Sequence, residues 1–530
     1  MLPPRTPNHS HGVDRRRFLA VVGALAGTAA AAQVPLADAS AAPRPDIGFP
    51  FTLGVASGDP GPDGVVLWTR LAPDPLVPGG GAPGRDLAVE WAVYSDERLR
   101  TKVASGLALA PARLAHSVHV ELRGLRPWRE YWFRFRYRGH VSDVGRTRTA
   151  PAAGHPLRTA TLATVSCQDY SSGFYTAYRH LVDDDPHLVL HLGDYVYEGA
   201  VGATAGARGT PVPEPARPAP RTLEQWRIRY ALYKSDADLR AAHAAVPFAV
   251  TWDDHEVQND YAGTRSQYEG DISALRAAAY QAYYEHQPLR VASIPRPDGG
   301  LTLHRGLDLG GLVRLSMLDG RQHRDVPPGG WGEAPASAAA YAPSVTMLGR
   351  RQESWLTARL RAGRAHWAVL GNNVMMARLE HEATPGARLW HDAWDGFPAA
   401  RNRITEVLAT ARVRNPVVLT GDWHSTFVND IRQDFDDPGS PVVATEFVGT
   451  SVTTNGDREV YGPYYGPMIR YNPHIRYFDG DRRGYQLHTV TRAEWRTDLR
   501  TVEFVGRRGG GVSTSASFVV ESGRPGAQRL

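Results

Sequence analysis

Two patterns of apolar and polar positions divide the chain. From Phe51 to about Thr149 the apolar residues come in short alternating runs, such as Gly64-Val65-Val66-Leu67-Trp68, Leu87-Ala88-Val89-Glu90-Trp91-Ala92-Val93 and Tyr131-Trp132-Phe133-Arg134-Phe135, with Gly, Pro and Asp between them. Runs of that length predict short strands, and several in succession predict a small β-sandwich. Pro151-Ala152-Ala153-Gly154 reads as the linker after it. Beyond the linker, apolar strands alternate with stretches of helical period, which predicts an α/β layered core. The plainest helix spans 347–362, where Leu348, Gln352, Trp355, Leu356 and Leu360 recur at helical spacing and Gly363 stops the run. The run 512–520 alternates as a C-terminal strand, and the Pro/Gly/Ala-rich stretch 199–220 reads as a long loop or insertion.

Five of the apolar strands end abruptly in residues of metal-ligand type. Ala160–Val165 runs into Ser166-Cys167-Gln168-Asp169, and 187–192 into Gly193-Asp194-Tyr195-Val196-Tyr197. The run 246–251 leads to Trp252-Asp253-Asp254-His255-Glu256, 367–370 to Gly371-Asn372-Asn373, and Pro416–Thr420 to Gly421-Asp422-Trp423-His424. In open α/β sheets the loops at the carboxyl ends of the strands converge on one crevice, so these five clusters predict one site. A lone Gly-Asp after a strand is more often a turn, and a lone histidine more often structural; it is the joint placement that points to metal.

The donor types narrow the metal. Cys167 and Tyr197 supply a thiolate and a phenolate, which suit a highly charged ion, while carboxylates and amides suit hard divalent cations. A trivalent iron beside one or more hard divalent ions is expected, with zinc, manganese and magnesium also compatible with these donors.

Composition changes the picture at the N-terminus. Asp14-Arg15-Arg16-Arg17-Phe18-Leu19 precedes an Ala/Val/Gly/Leu run, and Ala39-Ser40-Ala41 offers a cleavage site, so residues 1–42 are expected to be a twin-arginine signal peptide read by the twin-arginine translocase. Gly23 and Gly27 interrupt the run, so no permanent membrane anchor is expected, and the mature protein is expected outside the cytoplasm, secreted or held in the cell envelope. The formal charge of +5 falls further without that leader, and no Lys/Arg run argues for a nucleic-acid partner. The chain has one cysteine, Cys167, and therefore no intramolecular disulfide.

Together these residues resemble the PhoD-type alkaline phosphatases, relatives of the purple acid phosphatases in the metallophosphoesterase superfamily. The similarity extends to Phe51-Thr52-Leu53-Gly54-Val55-Ala56-Ser57-Gly58-Asp59-Pro60, Leu67-Trp68-Thr69-Arg70, Asp319 to Arg321 and Phe447-Val448-Gly449-Thr450-Ser451. The resemblance implies a fibronectin-like sandwich over 43–150 and a metallophosphoesterase catalytic domain over 155–525. It also implies one ferric ion (Fe3+) with calcium ions (Ca2+) as cofactors. By position, Cys167 is the first ligand, Asp194 the bridging carboxylate, Tyr197 the iron phenolate and Asp254 a ligand of the second metal. Asp422 and His424 fall in the last motif. Asn373, the expected ligand of the fourth motif, stands where the family has glutamine.

The expected reaction is hydrolysis of small phosphate esters by a metal-activated hydroxide, with His255 assisting the leaving group and Arg321 contacting the phosphate. Asp253, Glu256 and Asn372 are expected to orient the ligands. The rival readings are a nucleotidase or dedicated phosphodiesterase on the same scaffold, and a non-catalytic exported binding protein. Ser166 lacks the Gly-x-Ser-x-Gly context of a serine nucleophile.

Overall fold

A computed structural model describes residues 47–411 and 413–530. The twin-arginine leader lies outside the described residues. Among those described, no helix is long and apolar enough to cross a membrane.

Two large mixed sheets face each other, which places the protein in the α/β class. The centre of the first is a parallel trio, Ala160–Val165, Leu188–Leu192 and Phe248–Thr251. The antiparallel strands Arg483–Val490, Glu494–Val502 and Val512–Glu521 extend it on one side. The second sheet is built on four parallel neighbours, Val313–Met317, Trp367–Asn372, Pro416–Thr420 and Val442–Val448. Strand periodicity decides what lies between them. Leu188, Leu190 and Leu192 of one sheet and Val417 and Leu419 of the other are all buried in one shared core, whereas Val189 and Val418 point to the opposite faces.

Those opposite faces are covered by helices. Thr176–Asp183, Leu223–Lys234, Ala237–Ala245 and Ser273–His286 bury their apolar residues over the first sheet. Gly349–Arg361 and Pro398–Thr410 do so over the second. Local sequence starts these helices where the chain can cap them. Thr222 and Gln225 form a reciprocal capping box, and Asp236 accepts from the amides of Asp238 and Leu239. The helix expected over 347–362 is Gly349–Arg361.

The alternating runs of the first 150 residues form strands that pack face to face, and one of the two layers joins the ten-stranded sheet. Leu87–Tyr94, Lys102–Ala110 and Glu130–Tyr137 pair in a five-stranded sheet with two short strands. Its inner face, with Val89, Val93, Phe133 and Phe135, packs on Val65, Leu67 and Val118. The strands carrying those partners, Gly64–Arg70 and Ser117–Glu121, together with Val55–Gly61, belong to the ten-stranded sheet, which Val55–Gly61 joins in parallel beside Phe248–Thr251. One sheet is therefore common to the N-terminal strands and the α/β core.

Candidate metal centre

The five loops predicted to converge do meet at one end of the paired sheets. Backbone bonds stitch them together: Cys167 N–H donates to Gly193 O (3.2 Å), Gln168 N–H to Asp194 O (3.1 Å) and Gly421 N–H to Asn373 O (3.1 Å). The buried Glu256 carboxylate accepts from the amides of Asp194 (3.1 Å), Tyr195 (2.7 Å) and Asp253 (2.8 Å), locking the second loop to the third. Cys167, Asp194, Asp422 and His424 all adopt left-handed backbone, with φ of 58, 55, 69 and 53°. Such conformations cost energy for residues with a Cβ, and tolerance of four in one place is a mark of sites shaped for function.

The side chains form three overlapping groups, Cys167–Asp194–His424, Asp194–Asp254–His255 and Asp253–Asp254–Asp422, in each of which one ligand atom per residue lies within 4.8 Å of the others. Asp194 joins the first two groups and Asp254 the last two. The Tyr197 hydroxyl sits 2.9 Å from Asp194 Oδ2, 3.2 Å from His424 Nε2 and 2.7 Å from Thr454 Oγ1, which places it at the first group.

So much buried acid is unstable without cations. Burial, reinforced by the neighbouring Asp254, pushes Asp194 up to about 7, even though His255, Tyr197 and Arg321 pull the other way. Burial and the adjoining aspartates also raise Asp253 and Asp422 well above the carboxylate range. Burial works against a charge on Asp254 as well, but His255 and Arg321 hold it below its ordinary value. The Cys167 thiol and the Tyr197 phenol are pushed up, first by burial and then by Asp194. Asp194 Oδ1, Asp253 Oδ2 and Asp254 Oδ1 are buried without any hydrogen-bond donor. Three orphaned carboxylate oxygens beside a thiol, a phenol and two imidazoles are a donor set that fits more than one metal ion.

The remaining predicted residues sit around these groups. His255 is partly exposed, stacks on Tyr197 (centroids 4.3 Å apart) and shares Nδ1 with Glu198 Oε2 at 2.8 Å. Burial disfavours its charge, yet Asp254, Glu198 and Asp194 raise the imidazole well above its usual range, whereas burial and His255 lower His424 to about 3. Arg321 is fully buried behind the carboxylates: Nε bonds Asp253, Nη1 bonds Asp392 at 2.7 Å and Nη2 lies 3.7 Å from Asp254. It stands beneath the groups, away from the cavity. Asn373 uses its amide between loops, donating to Trp252 O and accepting from Gly320 N–H at 2.8 Å. Asn372 turns to Val374 O (2.5 Å) and the Trp394 indole (3.3 Å).

Sequence reasoning missed Glu198, Thr454 and Asp392. Glu198 directly follows Tyr197, so reading that motif one residue further finds it. Thr454 bonds the Cys167 carbonyl (2.7 Å) as well as the Tyr197 phenol, and lies just past the Phe447 to Ser451 run. Asp392 pairs with both Arg321 and Arg324 from an irregular segment that carries no strand or helix signal.

Tyr197, Glu198 and His255 also line an open cavity of about 560 Å³, which opens beside the group that His255 joins. Residues 162–499 match the family described as PhoD-like phosphatase, and residues 37–151 match the PhoD-like phosphatase, N-terminal domain. The chain is 42% identical over 529 residues to alkaline phosphatase D of Bacillus subtilis (strain 168), an alignment covering 98% of this chain and 89% of that protein. It is also similar to a solved structure titled "Structure of PhoD", with a TM-score of 0.86 and 42% identity over 91% of this chain and 92% of that one.

Proposed function

The chain belongs to the PhoD-like phosphatase family and is a hydrolase of phosphate esters; from that premise we propose that its reaction takes place where the three side-chain groups share Asp194 and Asp254. The sharing itself carries the reading, because a carboxylate common to two groups of ligands is how adjacent ions are held at a bridging distance.

Cys167, Asp194, Tyr197 and His424 would hold a ferric ion, and Asp194, Asp254, Asp422 and Asn373 would hold calcium, with Asp253 close enough to contribute. Bound there, the ions would neutralise the ester oxygens and acidify a water for in-line attack. The chain's own residues do the rest. Glu198 fixes Nδ1 of His255 and favours its charged form, leaving Nε2 to hydrogen-bond and protonate the departing oxygen. Glu256 keeps the Asp194 and Asp253 loops in register. Arg321 offsets the carboxylates from behind rather than touching substrate.

The finer architecture we propose is a fibronectin-like sandwich over 43–150 and a metallophosphoesterase layered domain over 155–525. Residues 1–42 direct export through the twin-arginine translocase. The cavity has room for a second ester substituent, so diesters are the second reading, and relative rates on p-nitrophenyl and bis-p-nitrophenyl phosphate separate the two.

The test is Asp194→Asn, with elemental analysis of protein purified without added metal. Loss of both turnover and bound metal is expected. Full turnover of p-nitrophenyl phosphate at saturating metal would overturn the bridging role.

A further inference from the structure

We infer that Thr454 is a positioning residue for the proposed iron ligands: its hydroxyl donates to the Tyr197 oxygen when that oxygen binds iron as a phenolate, and so tempers how much charge the phenolate gives the ion. The inference rests on the proposed ligand set and concerns a residue outside it.

The observation is a buried hydroxyl with more acceptors around it than it has protons. Thr454 Oγ1 lies 2.7 Å from the Tyr197 hydroxyl and 2.7 Å from the Cys167 carbonyl, and it accepts from the Asp169 amide at 3.2 Å. One proton therefore has two places to go. The Tyr197 phenol donates its own proton to Asp194 Oδ2, 2.9 Å away; as an iron ligand it has none to give and can only accept. The Cys167 carbonyl is already served, because the amides of Thr453 (3.3 Å) and Thr454 (3.2 Å) both donate to it and a carbonyl oxygen has two lone pairs. The charged phenolate is then the stronger acceptor, since hydrogen bonds to an ionised partner are about twice as strong as those between neutral groups.

The turn that carries Thr454 is held without this hydroxyl. Thr453 Oγ1 donates to Asp169 O (2.8 Å) and Val452 N–H to Ser166 O (3.0 Å), which dock the turn on the Cys167 loop, and Ser451 Oγ donates to Thr454 O (2.9 Å). Loss of the hydroxyl alone therefore leaves Tyr197 facing the same pocket with one donor fewer. A hydrogen bond lowers the energy of the filled phenolate orbital that overlaps the metal. Without it the phenolate donates more charge, so its charge-transfer transition falls in energy and the ferric ion becomes harder to reduce.

The experiment reads the visible tyrosinate-to-iron band and the reduction potential of the iron-loaded protein. Thr454→Val is expected to move the band to longer wavelength and to lower the potential, whereas Thr454→Ser, which keeps the hydroxyl, is expected to leave both near the values of the unaltered protein. Resonance Raman spectra of unaltered protein produced in light and in heavy water are expected to show an isotope shift of the phenolate C–O stretch, and the valine variant is expected to lose it. A band and potential that stay put in Thr454→Val with the iron retained overturn the inference. Should that variant take up no iron, the isotope shift decides alone, and its absence from the unaltered protein overturns the inference equally. Unaltered protein that holds iron without any tyrosinate band would instead remove Tyr197 from the ligand set, so failure of the underlying reading is told apart from failure of this one.

Discussion

Arg321 sets the charge balance beneath the site, because its buried guanidinium faces the buried Asp253, Asp254 and Asp392. Arg321→Met leaves Asp253 without a cation partner and Asp392 with Arg324 alone, and removing one partner of a buried ionic network costs about 3–5 kcal/mol. The expected result is a matching loss in denaturant unfolding free energy, recovered in part by added calcium; unchanged stability would argue against the network. Glu198→Gln tests a different step. It keeps the hydrogen-bonding shape but removes the charge that favours a protonated His255, so kcat should fall about ten- to a hundredfold with little change in KM. A rise in KM alone would instead place Glu198 in substrate binding. At this scale the sequence was informative where a strand ended: Cys167, Asp194, Asp254, Asp422 and His424 all reach the three groups. It was uninformative about direction. Nothing in Asp319 to Arg321 indicates that the guanidinium lies behind the carboxylates, since its orientation is decided by Asp392, which no local pattern marks.

The element that couples the N-terminal strands to the site is the helix Leu223–Lys234. Its last residue, Lys234, is buried with its ammonium 4.4 Å from the centre of the Trp68 ring and 5.4 Å from that of Tyr195, and burial lowers it from 10.5 to about 7. The sign follows from proton binding. Between about pH 7 and 10.5 the unfolded chain holds a proton that the folded chain has released, so this residue makes stability rise with pH across that window, and its cost is fully present below it. Lys234→Met should therefore stabilise the protein more at pH 6 than at pH 10, by at least the roughly 1.4 kcal/mol that one pKa unit represents. Equal gains at the two pH values would show that packing, not charge, is the cause. The same helix explains why some elements were legible and others were not. The strands Ala160–Val165 and Pro416–Thr420 lie where their apolar runs put them, because buried parallel strands are written as continuous apolar sequence. The 199–220 stretch has a short hairpin, Thr204–Ala205 with Thr210–Pro211, and a single 3-10 turn, Glu214–Ala216, and takes its path from Arg229 on this helix, a tertiary cause without a local signature.

At the scale of the whole molecule, the alternating period of the first 150 residues revealed two packed layers of strands but could not reveal that one layer continues into the α/β core. That continuity depends on a single crossing. Gly58 lies opposite Phe248, and a Cβ built there would sit 2.6 Å from Pro288 O and 2.7 Å from Phe248 O, so only glycine allows the strands to close. Gly58→Val is expected to destabilise the full-length protein by about 2–3 kcal/mol, the scale of forced overpacking. Removing the N-terminal strands altogether has a larger consequence. A chain beginning at residue 155 would turn Phe248–Thr251 into an open edge with unpaired amides and carbonyls just before Asp253 and Asp254, and would bare Ala231 of the helix Leu223–Lys234, which Trp68 and Leu53 cover. Such a fragment should elute as oligomers or aggregate, bind less metal and lose turnover even though every proposed ligand is present. If it instead elutes as an active monomer, the shared sheet is not what holds the third loop of the site in place.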